Sequence, residues 1–161
     1  MQPDLSTVQD WLAQIPDPEI PAISLVDLGI VRDVGYEDDT LVVTVTPTYS
    51  GCPATAIIAL DIETELLKRG ADKVKVRQQM SPAWTTDWIS DEGREKLRAY
   101  GIAPPQQGAA TCAGMLSAQN AACPQCGSDN TEVISQRGST PCKAQFRCRD
   151  CLEPFDYFKA I

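Results

Sequence analysis

The chain opens with Val8, Trp11, Leu12 and Ile15, apolar positions three and four apart, preceded by Ser6 with Gln9 three residues beyond it. That spacing predicts an amphipathic helix with Ser6 as its N-cap, ended by Pro16 and Pro18. The period then shortens to two. Residues 30–36 (IVRDVGY) and 40–46 (TLVVTVT) are rich in β-branched side chains and are separated by Glu37-Asp38-Asp39, which reads as an antiparallel hairpin. Residues 54–69 return to helical spacing, with Ile58, Ile62 and Leu66 on one face, Glu65 and Arg69 four apart, and Gly70 just after the basic last turn. Residues 73–78 (KVKVRQ) alternate Val74 and Val76 with cations, as a half-buried strand does. A short helix over 91–100, between Ser90 and Gly101, completes the run. Helix, hairpin, helix, strand, helix predicts an α+β fold, a small sheet with helices on one face.

Residues 101–122 interrupt this pattern. They carry no charge and are rich in Ala, Gly, Pro and Gln, so they read as a linker between a domain over 1–100 and a second over 123–161. The lone Cys112 inside that stretch reads as an incidental thiol.

The tail is organised by cysteine. Cys123-Pro-Gln-Cys126-Gly and Cys148-Arg-Asp-Cys151 are two Cys-x-x-Cys pairs with 21 residues between them, enough for a hairpin that folds one pair onto the other. Four thiolates then close a tetrahedral shell that suits structural zinc, and metal binding supplies folding energy that a unit of about 40 residues lacks. A rubredoxin-like iron site and a pair of disulfides are the alternatives. Cys142 falls outside the paired spacing and reads as a buried or supporting residue. The segment Pro154–Phe158 offers aromatics to pack against the knuckles, so the tail is predicted to be a β-rich zinc ribbon.

A second candidate site is Thr46-Pro-Thr-Tyr-Ser-Gly-Cys52-Pro53-Ala54, where a strand gives way to a helix. Pro53 suits the first helical position, which places Cys52 at or near the N-cap, where unpaired amides and the helix dipole favour a thiolate. Cys52 thus reads either as a reactive or metal-binding thiol or as a small residue filling a tight turn. In Asp17-Pro18-Glu19 the two carboxylates could act as acid–base groups or ligands, and an Asp before Pro also starts a helical turn. Trp84 and Trp88 read as core, with a partner-binding patch as the alternative.

Composition narrows the chemistry. With no histidine among 161 residues, Ser-His and Cys-His nucleophiles and His-ligated metal catalysis are excluded, and neither common phosphate-binding glycine loop is present. The chain is therefore not expected to be catalytic itself. Residues 1–100 hold 17 acidic and 9 basic groups, and 9 − 17 accounts for the whole net charge of −8; residues 120–161 hold five of each. Nucleic-acid binding is disfavoured by that balance. No apolar run reaches the ~18 residues of a membrane span, and no basic-then-apolar start marks a secretory signal. Cytoplasmic location is expected, with seven cysteines reading as ligands or free thiols.

DPEIPAISLVDLG, TPTYSGCPA and RQQMSPAWTTDW resemble the iron–sulfur assembly domain shared with the SufT group of accessory proteins. Followed by CPQCG, STPCKAQFRCRDC and EPFDYFK, they resemble the PaaD family of bacterial phenylacetate degradation. The likeness covers residues 7–100 and 120–161. It implies an accessory to the multicomponent phenylacetyl-CoA epoxidase that helps to mature an iron- or cluster-bearing subunit, with the epoxidase subunits as partners. On this chain the family's assembly motif falls on Asp17, Pro18, Glu19 and Cys52, and its ribbon on Cys123, Cys126, Cys148 and Cys151. A non-catalytic adaptor within the complex and a thiol-dependent oxidoreductase using Cys52 are the rival readings.

Overall fold

In the computed structural model the described residues are 2–49, 51–105 and 121–159, and they form two compact units, one over 1–84 and one over 85–161. In the first unit, α1 (Leu5–Leu12) buries Val8 and Leu12, and Ile15 follows them into the core. Its N-cap is Asp4, not Ser6: Asp4 is extended, and its carboxylate takes a hydrogen bond from the Ser6 hydroxyl. A proline at position 3 and several good cap formers close together leave this boundary poorly marked in the sequence. The chain then folds back on itself, Leu25 N–H donating to Ile15 O (3.0 Å) and Asp17 N–H to Ile23 O (2.8 Å). Ile20, Ile23, Leu25, Leu28 and Ile30 are thereby buried. An isolated antiparallel bridge joins Pro16 and Ser24.

The hairpin is present as β1 (Val31–Glu37) and β2 (Thr40–Val45), antiparallel, with Asp38 at φ 53° in the turn. The left-handed conformation suits Asp better than most residues. From β2 the chain passes through α2 (Thr55–Lys68) to β3 (Val74–Gln78), which pairs parallel with β2, so β2 is the middle strand of a three-stranded sheet. Ile58, Ile62 and Leu66 of α2 and Leu41, Val43 and Val45 of β2 are almost fully buried. Each such side chain contributes about 1.5–3 kcal/mol of hydrophobic stabilisation. Trp84 is core, 2% exposed, and its indole N–H donates to Leu28 O at 2.9 Å; Trp88 is half-buried.

The second unit begins with a 3-10 turn (Thr86–Trp88) and α3 (Asp91–Ala99), capped by Ser90, whose hydroxyl accepts from Gly93 N–H at 2.9 Å. The short β4 (Ile102–Ala103) pairs parallel with β7 (Pro154–Phe158), next to β6 (Lys143–Cys148) and β5 (Thr131–Ser135), in the order β4-β7-β6-β5. Buried Arg94 on α3 donates to the carbonyls of Pro105 and Thr86. α3 and β4 thus lie in the second unit with the ribbon sheet. Of the expected linker over 101–122, residues 106–120, including Cys112, lie outside the described residues.

Candidate metal centre and the Cys52 turn

Two knuckles face each other across the end of the ribbon sheet. In the first, Gly127 N–H donates to Cys123 O (2.8 Å) and Cys123 N–H to Ser128 O (2.9 Å), a turn that requires Gly127 at φ 76°. In the second, Cys148 N–H donates to Glu153 O (2.9 Å) and Cys151 N–H points at Cys148 Sγ (3.5 Å). Asp150 laces them together: its carboxylate takes hydrogen bonds from the Ser128 hydroxyl and from Asn130 Nδ2 (2.9 Å), and Arg149 N–H donates to Asn130 O (2.8 Å). The Ser128 and Asn130 bonds hold the Asp150 carboxyl below the usual carboxylate range. No local pattern announces Asp150, because its partners lie 20 and 22 residues away.

Behind the knuckles sits the ribbon core. Phe146 stacks on Phe155 with ring centroids 5.8 Å apart and meets Tyr157 edge-on at 5.1 Å, beside buried Cys123 and Cys148.

The sulfurs of Cys123, Cys126, Cys148 and Cys151 all lie within 4.8 Å of one another, with Cys123–Cys151 at 3.7 Å and Cys126–Cys148 at 3.6 Å. A tetrahedron of sulfurs at the zinc–thiolate distance of about 2.3 Å has edges of about 3.8 Å, whereas a disulfide needs about 2.05 Å. The donors therefore fit a tetrahedral S4 ion, and the cysteines are free thiols. Their electrostatics point the same way. Cys148 is lowered to about 7, first by the backbone N–H of Cys151 and then by that of Asp150. Cys151 is pushed up to about 12: the Glu153 amide pulls it down, but burial and the neighbouring thiols Cys126, Cys148 and Cys123 outweigh that. Cys126 is raised too, against the lowering Ser128 amide, through its bond to Cys148 and burial. Ionising Cys126 and Cys151 beside a Cys148 thiolate therefore calls for a neutralising cation. Cys142 is not in the group. It is buried, with its sulfur 3.0 Å from Thr140 Oγ1.

One knuckle residue is strained. Leu152 occupies the position equivalent to Gly127, at φ 68° and 68% exposed. Left-handed backbone costs an L-residue about 1–2 kcal/mol, against roughly 0.5–1 kcal/mol of chain entropy lost with glycine. Leu152→Gly is therefore expected to stabilise the metal-loaded protein by up to about 1 kcal/mol, raising its thermal midpoint; a lowered midpoint would show that the leucine side chain contributes packing.

At the other candidate site Gly51 has φ 80°, Cys52 N–H reaches Tyr49 O (3.3 Å) and Thr55 N–H reaches Cys52 O (3.2 Å). Cys52 is half-buried and lies two residues before the N-cap of α2, which is Ala54. That cap has no side-chain hydrogen bond, and the helix's own first turn holds no acid. Thr46, 1% exposed at the end of β2, has a buried hydroxyl without a hydrogen-bond partner among the described residues.

Asp17 is 5% exposed, and its Oδ1 accepts from Glu19 N–H (2.9 Å) and Ile20 N–H (2.8 Å), so it holds its own turn together. Among the described residues the four ribbon cysteines are the one set of three or more Cys, Asp or Glu side chains close enough to share an ion; Cys52, Asp17 and Glu19 are not brought into such a set.

Two family models match the chain, one described as an iron–sulfur cluster assembly protein over residues 5–77 and one as the PaaD zinc β-ribbon domain over 107–159. A protein of Escherichia coli, named as a putative subunit of 1,2-phenylacetyl-CoA epoxidase, is 46% identical over 159 residues, 99% of this chain and 94% of that protein. A Bacillus subtilis protein named Fe-S protein maturation auxiliary factor is 36% identical over 81 residues, 49% of this chain and 78% of its own length. The crystal structure of a domain of unknown function from Bacillus anthracis superposes with a TM-score of 0.53 at 27% identity, covering 57% of this chain and 89% of that one.

Proposed function

This chain belongs to the PaaD family of 1,2-phenylacetyl-CoA epoxidase proteins, and on that premise we propose that it is an accessory factor that assists iron or iron–sulfur assembly on another subunit of the epoxidase. The observation that carries this reading is the half-exposed Cys52 thiol on a glycine turn beside the uncapped start of α2, within the region that matches the assembly model. Cys52 gives up its proton to bind iron as one thiolate ligand. Among the described residues no group of three or more Cys, Asp or Glu includes Cys52, so its further ligands come from Glu19, the client or the cargo itself. A client thiolate then replaces Cys52 on the iron: the Cys52 bond breaks, the client bond forms, and Cys52 regains a proton from solvent. Glu19 is kept as a second ligand candidate, whereas Asp17, with one oxygen committed to two amides, is assigned to the turn.

The tail's four cysteines hold structural zinc, which fixes the knuckles and takes no part in transfer. A reducing cytoplasm suits six free described thiols, and no described helix is long and apolar enough to cross a membrane.

In cells lacking the native chain, wild type is expected to restore epoxidase activity and Cys52→Ala to leave it at the level of the deletion, although the variant folds and keeps its zinc. Anaerobic iron loading should add iron to wild type and not to the variant. Full activity with Cys52→Ala would remove the thiol mechanism and leave a non-catalytic adaptor as the reading.

A further inference from the structure

Helix α2 carries two apolar stripes, and the fold uses one. Ile58, Ile62 and Leu66 are buried against the first unit's core. Ile57, Leu60 and Leu67 are 51%, 62% and 48% exposed. At 3.6 residues per turn, these three and Thr64 fall within a sector of about 80°, on the side of the helix opposite the buried stripe. A solvated helix face is ordinarily polar, and scattered single leucines need no account, but a stripe three turns long does.

An acid stands on each flank of this stripe, and Lys68 lies at the C-terminal end of the Asp61 side, its ammonium held by Glu65. Asp61 lies along one side and Glu63 along the other, both partly exposed, and neither makes an ion pair among the described residues. Glu65, by contrast, is held by Lys68 at 3.0 Å and Arg69 at 3.7 Å, and the Lys68 hydrogen bond, then its charge, keep the carboxyl below the usual range. Lys68 is thus committed to Glu65, and Asp61 and Glu63 keep no ion pair among the described residues.

We propose that the Ile57–Leu60–Leu67 face of α2 is a docking surface for a protein partner presenting an apolar ridge edged by lysine or arginine. Charge decides the occupant. A second copy would bring another chain of net charge −8 against this one, and two such helices packed antiparallel set Glu63 against Glu63. A cationic rim, in contrast, meets Asp61 and Glu63 favourably. The stripe starts at Ile57, five residues after Cys52, so a partner seated on it has its own ligands brought toward the Cys52 turn. Only that last purpose rests on the assembly reading; the surface itself does not.

The test places a photo-cross-linking amino acid at position 60 of the full chain, co-expressed with the other epoxidase subunits. A cross-link is expected to a different polypeptide, at a peptide mixing apolar residues with Lys or Arg. Its yield should fall about tenfold with Asp61→Lys/Glu63→Lys, and also in high salt, while zinc content and circular dichroism are unchanged. A cross-link to a second copy, or to residues 106–120 of the same chain, would overturn the proposal; so would no cross-link, or one indifferent to charge reversal. If the cross-link forms as expected and Cys52→Ala is fully active, the docking surface stands and the thiol mechanism alone falls.

Discussion

Replacing Cys148 with serine is expected to empty the ribbon of metal and melt the sheet around it. Cys148 is fully buried at the end of β6, its sulfur 3.6 Å from that of Cys126 and facing the Cys151 amide. Its pKa is lowered to about 7 by that amide and by Asp150 N–H, whereas those of Cys126 and Cys151 are raised. Serine keeps the volume and loses the thiolate, so three ligands remain and a hydroxyl that does not ionise near neutral pH fills the fourth place. The hydrophobic alternative is thin. The ribbon's large core residues are the aromatics Phe146, Phe155, Tyr157 and Phe158, a small core for a unit of about 40 residues. Metal binding supplies folding free energy that so small a core lacks. Mass spectrometry should find about one zinc per chain in wild type and little in Cys148→Ser. Amide exchange protection should vanish from β6 and β7 and persist in β2, since the first unit's core is built from other residues. Cys142→Ser, outside the four-thiol group, should keep its metal. A Cys148→Ser protein with stoichiometric zinc would refute the ligand assignment.

The knuckles were legible because their chemistry is local: two cysteines three apart and a glycine behind the first pair describe a turn, and two turns need only a hairpin to meet. The elements of the first unit were legible for the same reason, as Ile58, Ile62 and Leu66 on α2 and the alternation in Val74–Gln78 are periodic signals within one segment. What the sequence hid depends on contacts between distant segments. Ile102 and Ala103 look like linker and become a strand only because Asp156 and Tyr157 present an open edge. Arg94 looks like an ordinary surface charge on a polar helix, yet it is buried with the carbonyls of Thr86 and Pro105 as its partners. Asp150 reads as filler inside Cys-Arg-Asp-Cys and proves to be the clasp between the knuckles. The second apolar stripe on α2 was present in the sequence as Ile57, Leu60 and Leu67, but periodicity alone does not say which of two stripes the core takes.

Asp17 is where the structural and functional readings of one residue can be separated by a single pair of variants. Asp17→Ala is expected to lower stability by about 3 kcal/mol, because the Glu19 and Ile20 amides lose a charged acceptor and Ile20 sits in the core; hydrogen bonds to a charged group contribute about 1.5–3 kcal/mol each and these two are not additive. Asp17→Asn keeps an oxygen at the same place to accept both bonds, so it should cost only about 1 kcal/mol. Denaturant titration measures both numbers. The amide cannot act as an anionic ligand for iron, however, and that makes epoxidase assembly in cells the deciding readout. If Asp17 holds its turn and nothing more, the Asn variant supports assembly while the Ala variant fails in proportion to its unfolding. A stable Asn variant that cannot support assembly would instead make the carboxylate itself part of iron handling, and the turn would then be a mount for a ligand that Cys52 shares.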